Sequence, residues 1–265
     1  MLLVHLTDPH VVASGSKIRG VIDSNQLLLS AVRTINDLDP LPECVVITGD
    51  ITHNGKQEEA EVARDILSKL EVPYWIQAGG HDTPSVIGAV FSSHLPAEVN
   101  KSKLSYMVEL SEATLVMLNS SEESSSRPVL TTASLEWLAS QLDQISPDRD
   151  IIIGLHHPPF PCKIPISIYL SEDPYASWAQ PFWDVIAKHP NVKQVLSGHV
   201  HRDIHYVKNG VVCNVARSPN VQTKPFLGSG TPEDKSPIRI EPGAISLHYR
   251  ERGYWWRFDA HVESE

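Results

Sequence analysis

The chain is poor in the features that mark several common classes of protein. Its 265 residues include only 3 cysteines, Cys44, Cys162 and Cys213. They are odd in number, none forms a C-x-x-C pair, and each lies in or beside an apolar run. That excludes a disulfide framework and points to buried thiols in a reducing compartment. No apolar stretch approaches the roughly 20 residues of a membrane span, and the N-terminus shows neither a basic leader nor a cleavable apolar region, so a cytoplasmic protein is expected. Basic residues are outnumbered, 22 against 32 acidic, and the formal charge of −10 disfavours a nucleic acid polymer or an anionic membrane as the main partner. Neither a repeat at solenoid period nor a low-complexity linker interrupts the sequence, so a single domain over 1–265 is expected. A chain of this length buries a sizeable core unaided, so any metal it holds serves chemistry rather than stability.

What is present is a series of apolar runs that stop at acids and histidines. Leu2–Leu6 reads as a buried strand ending in Thr7-Asp8-Pro9-His10. Asp23-Ser24 caps a helix running to about Asp37, and Pro40 and Pro42 follow it. Cys44–Thr48 is a second strand, ending in Gly49-Asp50, and a helix over about 56–70 leads to a third strand, Val72–Ile76, ending in Gly79-Gly80-His81-Asp82. Crossovers of this length make these strands parallel. A helix starting at Pro84, a hairpin of 104–110 with 114–118, a polar loop over 120–128 and a helix over 131–145 come next. The hairpin makes the sheet mixed. Strand 151–155 ends in His156-His157-Pro158-Pro159, and after a helix at about 177–188, strand 192–196 ends in Ser197-Gly198-His199-Val200-His201. Asn209-Gly210 turns a further hairpin. The proline-, serine- and glycine-rich stretch from Arg217 to Pro242 is expected to cover something or to meet a partner, and a hairpin near 244–248 and 254–260 closes the chain.

In open α/β sheets, functional residues gather beyond the carboxyl ends of the strands. The set that converges there is Asp8, His10, Asp50, Gly80, His81, His156, His199 and His201. On an extended segment, residues two apart point the same way, so His199 and His201 are expected to face one pocket while Val200 packs away. Even with His81 set aside, two carboxylates and four imidazoles exceed what one tetrahedral ion needs and suit two borderline transition metals sharing an acid.

These motifs, D-x-H, G-D, G-x-H-D, H-H-P and G-H-x-H in order at strand ends, resemble those of the calcineurin-like dinuclear metallophosphoesterases over about residues 1–205. Arg19-Gly20-x-x-Asp23, the H-H-P-P form and the short C-terminal strands are most similar to the bacterial class III cyclic nucleotide phosphodiesterases and the related glycerophosphodiesterases. The resemblance implies an α/β fold, a four-layer α/β/β/α sandwich with two mixed sheets. It also implies two divalent transition metal ions, Fe, Mn, Zn or Co, one held by Asp8, His10, Asp50 and His201 and the other by Asp50, His156 and His199. The expected reaction is attack of a metal-bridging hydroxide on a small phosphodiester, with 3',5'-cyclic nucleotides first and glycerophosphodiesters as the alternative. A non-catalytic interaction protein that keeps the fold is the reading from another class. His81 is expected to protonate or stabilise the leaving oxygen, with Asp82 orienting it.

The departure is Gly80, in the substrate-binding position where the family has an asparagine that ligates the second metal and orients phosphate. Arg217 is expected to meet the substrate phosphate. His157 reads as a brace for its loop and His53 as a solvated loop residue, while His5, His94, His189, His205, His248 and His261 are assigned to packing or solvent. Trp255 and Trp256 suggest a homo-oligomer contact made by the C-terminal loop and hairpin, about 217–265.

Overall fold

The computed structural model describes residues 1–97, 99, 103–123, 125–162, 173, 175–223, 238–239 and 243–262. Two mixed sheets form its centre. The first has the order β13-β12-β1-β2-β3, in which β1 (Leu2–Leu6), β2 (Cys44–Ile47) and β3 (Tyr74–Ile76) are parallel. β12 (Gly243–Glu251) runs antiparallel to β1 and to the edge strand β13 (Tyr254–Val262). The second has the order β4-β5-β6-β7-β9-β8. Its parallel strands are β5 (Ala113–Met117), β6 (Asp150–Gly154), β7 (Val192–Ser197) and β9 (Val211–Val215), with β4 (Tyr106–Glu109) and β8 (Ile204–Lys208) antiparallel at the edges. α1 (Ser24–Asn36) and α2 (Gln57–Leu67) form the first sheet's crossovers, α3 (Pro84–Val90) lies on the connection from the first sheet to the second, and α4 (Thr132–Leu142) and α5 (Gln180–Ile186) belong to the second sheet's crossovers. The fold is the four-layer α/β/β/α sandwich.

The layers follow from the residue pattern. β1 and β2 are apolar along nearly their whole length because both of their faces are covered. α1 presents Leu28, Ala31, Val32 and Ile35 inward, and the Asp23 carboxylate caps its first turn at the Gln26 N–H, 3.2 Å away. One core cluster draws on both sheets, with Leu3, Val45 and Ile47 of the first meeting Leu115, Ile152 and Leu196 of the second. Arg250 on β12 reaches across the sandwich to Asp150 on β6, 2.8 Å away, and to Glu112 in the β4–β5 turn. Among the described residues no helix is long and apolar enough to cross a membrane, and Cys44, Cys162 and Cys213 are buried free thiols.

In the stretch expected to cover something or to meet a partner, Ser218, Asn220, Gln222 and Thr223 are themselves buried. β10 (Gln222–Thr223) pairs with β11 (Ile238–Arg239), while 224–237 and 240–242 lie outside the described residues. The closing hairpin belongs to the first sheet, with β12 the neighbour of β1. Within this hairpin β13 is the edge strand of the sheet, where Tyr254, Trp256 and Phe258 are exposed, whereas Trp255 packs back against the core and lies 5.9 Å from the Arg250 guanidinium.

His248 is buried on β12 with Nδ1 3.0 Å from Gln194 Oε1, and burial, with smaller effects of His5 and Arg257, holds its pKa well below the usual histidine value. Above about pH 6.5 the folded and unfolded chains are both neutral at this position. Below that the unfolded chain takes up a proton that the folded chain refuses, so stability falls as acid is added, by about 1.4 kcal/mol per pH unit for one histidine. In His248→Gln the slope of urea-unfolding free energy against pH between 6 and 5 is expected to be smaller by about one proton. Equal slopes would show that His248 is not the acid-sensitive group.

Candidate metal centre

The strand-end loops continue the sheet for a few residues beyond the strands. The N–H of Asp8 bonds Gly49 O, that of His10 bonds Asp50 O, and that of Val11 bonds Ile51 O, all at 2.8–3.0 Å. This zipper sets Asp8, His10 and Asp50 side by side. Asp8, His10, Asp50, His199 and His201 all adopt positive φ, between 45° and 70°. The left-handed region costs a non-glycine residue on the order of 1–3 kcal/mol, and here it turns consecutive side chains into one space. His199 and His201 therefore converge through left-handed backbone, not through the extended segment expected. Val200 between them is buried.

The first donor group is Asp8, His10, Asp50 and His201, whose ligand atoms lie within 4.8 Å of one another. His201 Nε2 is 3.3 Å from Asp8 Oδ1 and 3.0 Å from His10 Nε2, and His10 Nε2 is 3.6 Å from Asp50 Oδ2. The other His201 nitrogen, Nδ1, is 3.0 Å from Val221 O, which can only accept, so the proton of neutral His201 sits on Nδ1 and the lone pair of Nε2 faces the carboxylate. Facing lone pairs repel unless a cation lies between them. A proton can fill that gap: although burial opposes it, the Asp8 charge raises the pKa of His201, and Asp8 is in turn held well below the usual carboxylate range, against its own burial, chiefly by His201. Burial, then His201, keeps His10 neutral, the form that ligates.

Around the other oxygen of Asp50 the same logic recurs. His156 Nε2 is 3.3 Å from Asp50 Oδ1, buried and without a hydrogen-bond partner, while His156 Nδ1 donates to Thr48 O at 2.7 Å. His199 stands with its ring centroid 5.2 Å from that of His156, and burial, then His156, pushes its pKa down to about 3. Asp50 thus faces donors on both sides, one oxygen toward each. These donors fit two divalent ions sharing that carboxylate.

His81 and Asp82 come out differently. The His81 N–H donates to Asp50 Oδ1 at 2.8 Å, and its ring lies 4.7 Å from that of His10. Asp82 does not orient that ring: its carboxylate accepts from the N–H groups of Ile51, Thr52 and Gly79 and from the Thr52 hydroxyl, at 2.7–3.0 Å. It is the buried staple joining the loops after β2 and β3, and burial, then Asp50, raises its pKa. The orienting group for His81 is instead the carbonyl of His53, 2.8 Å from Nδ1, which leaves Nε2 facing outward. His53, expected in solvent, is half-buried with its ring 5.5 Å from His10 and 5.6 Å from His81.

A side chain at Gly80 would start 3.3 Å from Ser126 O. Ser126 O is also 3.2 Å from His157 Nε2, and Ser120 Oγ is 2.9 Å from His157 Nδ1, so both ring nitrogens of His157 hold the 120–126 loop. Arg217 is half-buried, two residues beyond β9 and between the buried Ala216 and Ser218. Ser218 Oγ donates to Asp8 O at 2.7 Å, and the Asn220 amide reaches Asp8 O and Pro9 O. The segment after β9 thereby braces the first ligand loop, a role sequence reading missed because a serine and an asparagine in a polar stretch carry no periodic signal.

A family model described as calcineurin-like phosphoesterase matches residues 1–203. A probable glycerophosphodiester phosphodiesterase, GpdQ, of Arcobacter nitrofigilis is 29% identical over 249 residues, 94% of this chain and 88% of the relative. A 3',5'-cyclic-nucleotide phosphodiesterase of Nostoc sp. is 26% identical over 219 residues, 80% of this chain and 78% of the relative. Among solved structures, a dimetal phosphatase from Danio rerio superposes with a TM-score of 0.65 at 16% identity, covering 99% of each chain, a likeness of fold.

Proposed function

The chain belongs to the calcineurin-like phosphoesterase family and is a phosphoric diester hydrolase, and we propose that its substrates are small phosphodiesters, 3',5'-cyclic nucleotides first. The observation that carries this reading is the pair of donor groups around Asp50, each with an imidazole nitrogen 3.3–3.6 Å from a different oxygen of one carboxylate. Two divalent ions, when bound there, polarise phosphoryl oxygens and bring the pKa of a bound water toward 7. Asp8, His10, Asp50 and His201 would hold one of them, and Asp50, His156 and His199 the other. Asp8 and Asp50 together offset only half the charge of two such ions, so the site favours an anion.

His81 is the residue proposed to act on the leaving oxygen. Its Nδ1–H is committed to the His53 carbonyl, so Nε2 is the atom that gives up or shares a proton. Arg217, two residues beyond β9, is the cation proposed to meet a phosphate oxygen, and Gly80 is the proposed substrate-binding position, where a larger side chain would press on Ser126. The buried free thiols support a reducing, cytoplasmic setting.

Glycerophosphodiesters are the second reading, favoured by the relative that aligns over 94% of the chain. Protein reconstituted with Mn²⁺, Zn²⁺ or Co²⁺ is expected to turn over cyclic AMP with a kcat/KM at least about tenfold above that for glycerophosphoethanolamine, a difference of about 1.4 kcal/mol in transition-state binding. The reverse order would establish the second reading. Hydrolysis of neither, nor of a bis-aryl phosphate ester, would reject both.

A further inference from the structure

Behind the first donor group runs a chain of buried hydrogen bonds that the reaction does not use directly. The Thr7 hydroxyl is 2.7 Å from Asp8 Oδ2, the Thr48 hydroxyl is 2.8 Å from Thr7 Oγ1, and His5 Nε2 is 2.8 Å from Thr48 Oγ1. All four residues are fully buried. The direction of the chain is forced. Ionised Asp8 can only accept, so the single proton of Thr7 goes to it; the proton of Thr48 then goes to Thr7, and Thr48 must accept from His5, which fixes the His5 proton on Nε2. Each donor is polarised by the one behind it in a fully buried site of low dielectric, which strengthens the last link.

Thr48 is the branch point. Its carbonyl accepts from His156 Nδ1 at 2.7 Å and so presents Nε2 to the second donor group, while its hydroxyl acts through Thr7 on Asp8 in the first. We infer that Thr48 is a positioning residue for both metal sites through two separable groups, with the His5–Thr48–Thr7 relay setting the orientation, and hence the metal affinity, of Asp8. The inference rests on the reading of two ions around Asp50 but not on the identity of the substrate.

Because the two groups differ, they can be separated. Thr48→Val deletes the hydroxyl and keeps the carbonyl and the shape. In a His156→Ala background, where only the first site remains intact, Thr48→Val is expected to weaken Co²⁺ binding about 10- to 100-fold, the usual effect of losing a partner behind a ligand. In a His201→Ala background, which leaves the second site, it is expected to leave Co²⁺ affinity unchanged. Thr48→Ser restores the first site, Thr7→Val reproduces the loss, and the double variant Thr7→Val/Thr48→Val is no worse than either single one, since one broken link breaks the relay. Calorimetric titration with Co²⁺ reads each affinity without any substrate. Unchanged binding at the first site, or an equal loss at both sites, overturns the assignment. A failure to hydrolyse cyclic nucleotides would leave these affinities untouched and count only against the proposed substrate.

Discussion

Asp50→Ala is expected to strip both ions from the protein and to lower kcat/KM on any phosphodiester by at least about 10³-fold, the equivalent of roughly 4 kcal/mol of lost charge stabilisation. Asp50 faces both donor groups, with Oδ2 3.6 Å from His10 Nε2 and Oδ1 3.3 Å from His156 Nε2. Without it each site loses its shared negative charge, and the remaining carboxylate, Asp8, serves only the first. The alanine also frees the His81 N–H, which Oδ1 accepts at 2.8 Å, so position and charge would change together. Asp50→Asn separates them, because the amide oxygen can still accept from His81 while the charge is gone. Loss of both ions from Asp50→Asn, measured by metal analysis on protein with an unaltered circular dichroism spectrum, would assign the effect to charge. Retention of one ion by either variant would mean that the carboxylate is not shared.

The alternation of strand and helix was legible because the parallel strands are largely buried on both faces and carry mostly apolar residues, as in Cys44–Ile47. The site was legible for a related reason. A strand that ends at Gly49-Asp50 or Gly198-His199 can place those residues only beyond the sheet. The route by which they converge was not legible, since an acid or histidine at positive φ leaves no composition signal, and extended geometry was the natural expectation for His199 and His201. Asp82 was misjudged because adjacency in sequence suggested a partner for His81, whereas the N–H groups of Ile51 and Thr52 in the loop after β2 and of Gly79 in the loop after β3 claimed its carboxylate. The place of β12 beside β1 depends on a pairing between residues such as Leu3 and His248, far apart in sequence, which no local pattern reveals.

Gly198→Ala tests whether close packing of the loops, rather than the ligands alone, makes the centre. A Cβ at Gly198 would fall 1.9 Å from Thr7 Oγ1 and 2.5 Å from Asp8 Oδ2, distances no real side chain tolerates. Neither neighbour can give way cheaply, because Thr7 is locked between Thr48 and Asp8, and Asp8 accepts from the N–H of His199 at 3.0 Å through both oxygens. The loops after β1 and β7 would have to separate, carrying His201 away from Asp8. Overpacking of this kind in a buried site costs about 1–3 kcal/mol or more, and for a domain of this size it should lower Tm by several degrees. The first ion should be lost at least as completely as when a supporting partner is removed, about 100-fold in affinity. Gly210→Ala is the control: its φ of +81° carries strain, but nothing lies within 4 Å of the added carbon, so it should lower stability by about 1 kcal/mol and leave metal binding as it was. If Gly198→Ala bound metal like Gly210→Ala, the contact between these two loops would not be what holds Asp8 and His201 together.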